Sequence, residues 1–318
     1  MTSLPERLAR TTVRLGDRPR RVGENPARRG PVILATDGTS RTGAPVAIAQ
    51  LIAARLGLPI EVVSVLDPTP AFGSSPDIVL GRNPTLDQLR RETFETHVRE
   101  HLARFSAGAS PPLVHVRFGD VTAEIARVAR EISATIIVMG AAPHERLGHM
   151  VSGGRAADLL HVAPCSVLSV PPAFTTLPRC ILAAVDFGPS STRAVQAALL
   201  VADRGGSISV AHLVPPPIRP AALNIVAPEE LAINVHALFD DVIDEIGSYV
   251  PDGVNVETRI VTADTVDGIL STAADVGADL IAIGTHGHGL LSRLTLGSVA
   301  QRVLHRTELP VLAAPPSP

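Results

Sequence analysis

Residues 31–37 read PVILATD and residues 180–186 read CILAAVD, an offset of 149. The stretch from Ile125 through TIIVMG to Gly140 returns as Ile269 through DLIAIG to Gly284, an offset of 144. APCSVLSVPP at 163–172 is matched by ELPVLAAPP at 308–316. Three matches in the same order mean a tandem duplication of one unit, so every later motif is read twice.

Within each half, short β-branched runs alternate with amphipathic stretches, the pattern of βα units on a mostly parallel sheet. Strands are predicted in the first half at 32–36, 60–66, 113–117, 135–139 and 166–170. In the second half they are predicted at 181–185, 207–213, 255–261, 280–283 and 310–313. The clearest helix covers 228–249, where Leu231, Val235, Leu238, Val242, Ile246 and Tyr249 recur at three- and four-residue steps as one apolar stripe. Proline punctuates 171–178 and 215–220. The expected division is a leader at 1–30, a first domain at 31–172, a linker at 173–179 and a second domain at 180–318.

Composition narrows the chemistry. The 318 residues are 45% hydrophobic, 19% charged and 3% aromatic, ordinary for a globular chain with two domains. All 28 basic residues are arginine. A chain without lysine has no Walker A phosphate loop, no Schiff-base centre and no kinase-type lysine. A phosphate must then be held by backbone N–H groups, hydroxyls, His or Arg. The formal charge of −3 conceals a leader of about +5, with eight Arg against Glu6, Asp17 and Glu24. With Pro5, Pro19 and Pro26 and no periodicity, that leader reads as a disordered basic tail. Seven Phe, one Tyr and no Trp give few stacking platforms, which points away from nucleic acid as a partner. No apolar run reaches the roughly 18 residues of a membrane span, and the leader holds no signal-type apolar core, so the cytoplasm is the expected location. Cys165 and Cys180 read as small buried hydrophobes.

The sharpest local signal is LIAIGTHGHGLLSRLTLGSV at 280–299. A strand ends at Gly284, a turn follows with Gly287 and Gly289, and Gly297-Ser298 opens the next helix. Glycines allow close backbone approach, and the amides of Ser298 and Val299 at a helix start favour an anion. Gly284, two residues, Gly287, nine residues and Gly297-Ser298 match the G-x2-G-x9-G-[S/T] signature of the ATP-binding universal stress proteins, and the chain resembles that family in both halves. The resemblance implies an α/β fold of two tandem Rossmann-like (adenine nucleotide α-hydrolase-like) domains. Each would be a five-stranded parallel sheet in the order 3-2-1-4-5, with ATP or another adenine nucleotide at the carboxyl ends of strands one and four, with or without Mg2+. That place is also where physics puts ligands in doubly wound sheets.

By the same resemblance, Asp186, followed by Phe187 and Ser191, contacts the nucleoside, and the backbone near Leu213 and Val214 meets the adenine. Asp186 also suits a plain cap on the helix that follows. His286, His288 and Arg293 stand in or beside the loop, either solvated or turned to phosphate. The first half keeps the spacing but reads Gly140, Pro143 and Gly153-Gly154. Pro143 has no N–H and Gly154 has no hydroxyl, so Asp37, Gly140, Gly153 and Gly154 form a weaker site. His97-Val-Arg-Glu100-His101 formally matches an inverted zinc-protease pattern on a helix whose core stripe is Leu86, Leu89, Val98, Leu102 and Phe105. No third ligand is identifiable, so no metal is expected there.

The expected function is an adenine-nucleotide-binding regulatory protein of the stress response with an unidentified protein partner, at most a slow ATPase, since no general base is assigned. The alternative is a dimerisation or interaction module without nucleotide. A third reading is an enzyme cleaving between α and β phosphates. The resemblance implies pairing of domains, as a homodimer or within one chain.

Overall fold

The computed structural model describes residues 25–38, 43–66, 84–103, 111–141, 154–216, 228–285 and 297–316. The chain forms two compact units, Arg29–Thr176 and Leu177–Pro318, with residues 25–28 belonging to the latter.

In the first unit the strands are β1 (Val32–Ala35), β2 (Ile60–Leu66), β3 (Leu113–Phe118), β4 (Ile136–Gly140) and β5 (Ser166–Val170). The helices are α1 (Gly43–Leu56), α2 (Pro84–Ala103), α3 (Val121–Glu131) and α4 (Gly154–Val162). The order is β3-β2-β1-β4-β5, every pair parallel. The second unit repeats this with β6 (Cys180–Val185), β7 (Ser207–Val214), β8 (Asn255–Thr262), β9 (Leu280–Gly284) and β10 (Val311–Ala314). Its helices are α5 (Pro189–Val201), α6 (Pro228–Ile246), α7 (Thr265–Val276) and α8 (Ser298–Arg306). The order is β8-β7-β6-β9-β10, again all parallel. Both sheets thus have the expected 3-2-1-4-5 order.

Strand limits follow from burial. β1, β5 and β10 are buried at every residue because helices cover both faces of a parallel sheet, which is why they read as unbroken apolar runs. The edge strand β8 alternates at its start, with Val256 and Thr258 buried and Asn255 exposed. Right-handed crossovers put α1 and α2 on one face and α3 and α4 on the other, where α3 and α4 touch; α7 and α8 touch in the same way. Local signals set the helix ends. Asp120 caps α3 by accepting from the Ala123 amide at 2.8 Å, and α7 stops at Gly277, left-handed with φ 65°.

Two expectations are corrected. Helix α6 ends at Ile246, and its core stripe is Val235, Phe239, Val242, Ile243 and Ile246, with Leu238 41% exposed. The steps from 235 to 239, 242 and 246 follow the 3.6-residue turn, and position 238 falls off that face. The leader also gives its last residues to the fold. Asn25 and Ala27 are 7% and 2% exposed, and Asn25 Nδ2 donates to the Gln196 carbonyl of α5 at 2.9 Å. Asn25 Oδ1 accepts from the Ala27 amide at 2.9 Å, and the Arg29 amide donates to Thr135 Oγ1 at 2.9 Å. Residues 1–24 lie outside the described residues. No helix among the described residues is long and apolar enough to cross a membrane.

Candidate functional site

Strand order reverses beside β1 in the first unit and beside β6 in the second, and the crevice at the carboxyl ends of those strands is the natural ligand position. In the second unit Asp186 follows β6 directly. Its Oδ1 accepts from the Gly188 amide at 3.0 Å and from Ser191 Oγ at 2.7 Å. The Ser191 hydroxyl also lies 3.0 Å from the Gly188 carbonyl, and its oxygen accepts from the Asp186 amide at 3.3 Å. The turn is therefore braced from both sides while Asp186 stays half-buried. Asp186 does not cap α5, whose N-cap is Gly188 with no side-chain cap bond; it closes the turn before the helix through one oxygen. Among the described residues Oδ2 takes no hydrogen bond.

Phe187, next in the chain, has φ 62°, a left-handed conformation that non-glycine residues rarely hold. Its ring lies against His212 with centroids 4.6 Å apart and meets Phe239 edge-on at 5.1 Å. His212, level with Val185 in the register, donates from Nδ1 to the Val185 carbonyl at 2.8 Å. Sequence reasoning did not single out His212. The available signal was its alignment, under the duplication, with Ser64.

Across the crevice, Gly284 ends β9. A Cβ there would sit 2.8 Å from the Ser191 nitrogen and 2.9 Å from Ser190, so only glycine lets β9 abut the first turn of α5. Thr285 is fully buried; its amide donates to the Ala314 carbonyl at 2.9 Å and its carbonyl accepts from the Gly297 amide at 2.7 Å. Both ends of the glycine loop are thus pinned together. His286, Gly287, His288, Gly289 and Arg293 lie outside the described residues. Gly297 caps α8 with no side-chain bond, so the first-turn amides of Ser298, Val299 and Ala300 face outward without a capping side chain. Ser298 is exposed and Val299 half-buried.

Leu213 turns its side chain to α7, where a Cβ on Gly268 would collide with it. The Val214 carbonyl accepts from the Ala263 amide at 3.1 Å, which faces it toward β8. Alternation then directs the Leu213 main-chain groups to the β6 side, at the crevice.

The first unit keeps some of these features and changes others. Asp37 is exposed, and the Gly38 amide donates to Thr36 Oγ1 at 3.0 Å. Gly38 has φ 73°, and its carbonyl accepts from His97 Nε2 at 3.2 Å. Ser64 Oγ donates to the Thr36 carbonyl at 2.6 Å. Among the described residues, a Cβ at Gly140 would meet Pro45 at 3.6 Å. Pro143 and Gly153 lie outside the described residues, and Gly154 opens α4. On α2, His101 is buried at 6% exposure while His97 is exposed, and no cluster able to hold a metal occurs among the described residues. Phe105 also lies outside them, and Cys165 and Cys180 form no disulfide.

The sequence pattern that defines the universal stress protein family matches residues 29–171 and again 179–315. The chain belongs to that family, as a tandem member. A universal stress protein of Mycobacterium tuberculosis is 23% identical over 230 residues, covering 68% of this chain and 76% of its own. Universal stress protein A homolog 1 of Coxiella burnetii is 29% identical over 142 residues, 44% of this chain and 94% of its own. Among solved structures, a universal stress protein from Archaeoglobus fulgidus superposes with a TM-score of 0.63 at 18% identity, covering 92% of this chain and 98% of that one. A functionally unknown protein from Pseudomonas aeruginosa gives 0.59 at 20% identity, covering 92% and 95%. These structures share the fold of this universal stress protein; its chemistry is read from its own residues.

Proposed function

We propose that this universal stress protein binds an adenine nucleotide, ATP or a close relative, in the crevice of its second domain, and acts as a regulatory binder. The observation that carries the reading is one constellation. The G-x2-G-x9-G-S spacing stands on a loop pinned at Thr285 and Gly297, opposite a carboxylate held by one oxygen at the end of β6. The residues present suit such a ligand without lysine. The amides of Ser298, Val299 and Ala300 and the Ser298 hydroxyl would receive phosphate, and Asp186 Oδ2 would accept from ribose hydroxyls. The Gly297 amide is already spent on Thr285, so phosphate binding falls to the residues that follow it. The main chain at Leu213 would meet the base. Phosphate contributed by the ligand carries the charge that Mg2+ accompanies; Asp186 is the carboxylate beside it. Among the described residues of the crevice none is placed as a general base, which supports at most slow hydrolysis.

In the first domain the exposed Asp37, Pro143 without an N–H in the signature and Gly154 without a hydroxyl favour the second reading, a domain that pairs or interacts without nucleotide. Isothermal titration of the full chain with ATP, AMP, cyclic AMP and GTP tests both. The expected result is one adenine nucleotide per chain, weakened at least about tenfold by Asp186→Ala, with GTP not bound. No heat with any adenine nucleotide would sink the reading, and two equal sites would sink the asymmetry.

A further inference from the structure

We propose that His212 is a positioning residue of the second domain: it shapes the Asp186 turn through the Val185 carbonyl and the Phe187 ring, and so sets nucleotide affinity. This rests on the nucleotide reading above. A carbonyl oxygen can only accept, so the 2.8 Å contact fixes the hydrogen on Nδ1 of His212. That bond holds the last carbonyl of β6, one residue before Asp186. Two residues on, Phe187 is left-handed at φ 62°, which an L side chain keeps only where its surroundings over-determine it. The surroundings here are the His212 ring at 4.6 Å and Phe239 at 5.1 Å. The left-handed residue turns the Gly188 amide back onto Asp186 Oδ1, leaving Oδ2 for the ligand. His212 therefore acts on the carboxylate from two directions without touching it.

The first domain separates the two jobs. There the matching carbonyl, Thr36, takes a hydrogen bond from Ser64 at 2.6 Å, and the left-handed position is Gly38 at 73°, which needs no ring to hold it. The carbonyl bond is thus common to both repeats, and the ring stack accompanies the non-glycine residue. It follows that serine at 212 keeps the bond, and that serine at 212 together with glycine at 187 restores the first domain's pairing of a hydroxyl donor with a left-handed glycine.

The test uses the full chain with two readouts: ATP affinity by titration, and amide exchange at Asp186 and Gly188. His212→Leu, which lacks both bond and stack, is expected to weaken ATP about tenfold, the size of one hydrogen bond, and to speed exchange at both amides. His212→Ser is expected to recover part of the loss, and His212→Ser with Phe187→Gly nearly all of it. Equal losses for Leu and Ser, or no effect of Leu on either readout, would overturn the proposal. If the unaltered chain binds no adenine nucleotide, the nucleotide reading fails, and the exchange pattern of the same variants still decides whether His212 shapes the turn.

Discussion

At the end of the first strand of each repeat the backbone turns left-handed, and the two repeats fill that position with opposite extremes of size: Gly38 in one, Phe187 in the other. After the third helix the choice is reversed, with Ser133 at φ 51° in the first domain and Gly277 at 65° in the second. The fold demands the conformation in both repeats and leaves the side chain open. Where a bulky residue is kept at a position that costs an L residue roughly 1–2 kcal/mol, its side chain must be held by something. Phe187 is held by Phe239 and His212 in the crevice argued to bind nucleotide; Ser133 is remote from any such site. Duplication thus gives an internal control for separating what the fold requires from what a ligand requires.

The control is most severe at the fourth strand. Gly284 and Gly140 occupy the same place in the signature; a Cβ at Gly284 would be crowded by the backbone of Ser190 and Ser191 at 2.8–2.9 Å, and among the described residues a Cβ at Gly140 lies 3.6 Å from the Pro45 side chain. Gly284→Ala is expected to destabilise the second domain by about 2–3 kcal/mol, because backbone atoms cannot step aside. Gly140→Ala in the first domain is the matched comparison, and a loss of the same size there would mean that the fold demands glycine at this place in both repeats. Denaturant unfolding followed by domain-resolved amide exchange checks this, since two domains need not melt as one. No loss from Gly284→Ala would mean that this glycine is kept for the ligand alone.

How far the amino-acid sequence could be read follows the same division. Each strand was legible to within one residue: burial on both faces makes β1, β5 and β10 continuous apolar runs, and the edge strands β3 and β8 still carry β-branched residues in alternation. Gly284 was legible as a necessary glycine, but the reason visible in sequence was phosphate approach; its contact with Ser190 and Ser191 joins residues more than ninety apart and has no local trace. His212 was illegible, since a polar residue at the end of a strand looks like surface until its partner carbonyl is known. Leu238 was misplaced because steps of three and four define a face only to within one position. Asn25 sat in a stretch whose charge and prolines read as a tail, although its partner is a carbonyl of α5.

Asn25 offers the next comparison. From Ser190 to Val201 every residue of α5 is buried, whereas α1 leaves Gln50 and Leu51 exposed. Part of that cover is the Asn25–Ala27 segment, with its bonds to Gln196 and to its own backbone. Asn25→Ala is expected to lower the stability of the second domain by about 1–2 kcal/mol, one or two buried hydrogen bonds, and to leave the first domain unchanged. Faster amide exchange confined to α5 is the measurement; an unaltered α5 would show that the segment rests on the helix without holding it.

The smallest expected effect has the opposite sign. Ser133→Gly relieves roughly 1–2 kcal/mol of left-handed cost but gives the unfolded chain the freedom of glycine, which takes back about 0.5–1 kcal/mol. The net expectation is a gain of about 0.5–1 kcal/mol in the first domain, read as slower exchange across α3 and β4. Gly277→Ser makes the reciprocal change where nothing lies within 4 Å of the added Cβ, so its loss is a backbone loss of similar size. If the pair of changes is not reciprocal, then Ser133 is stabilised through its side chain, and the claim that only Phe187 is held for a purpose loses its control.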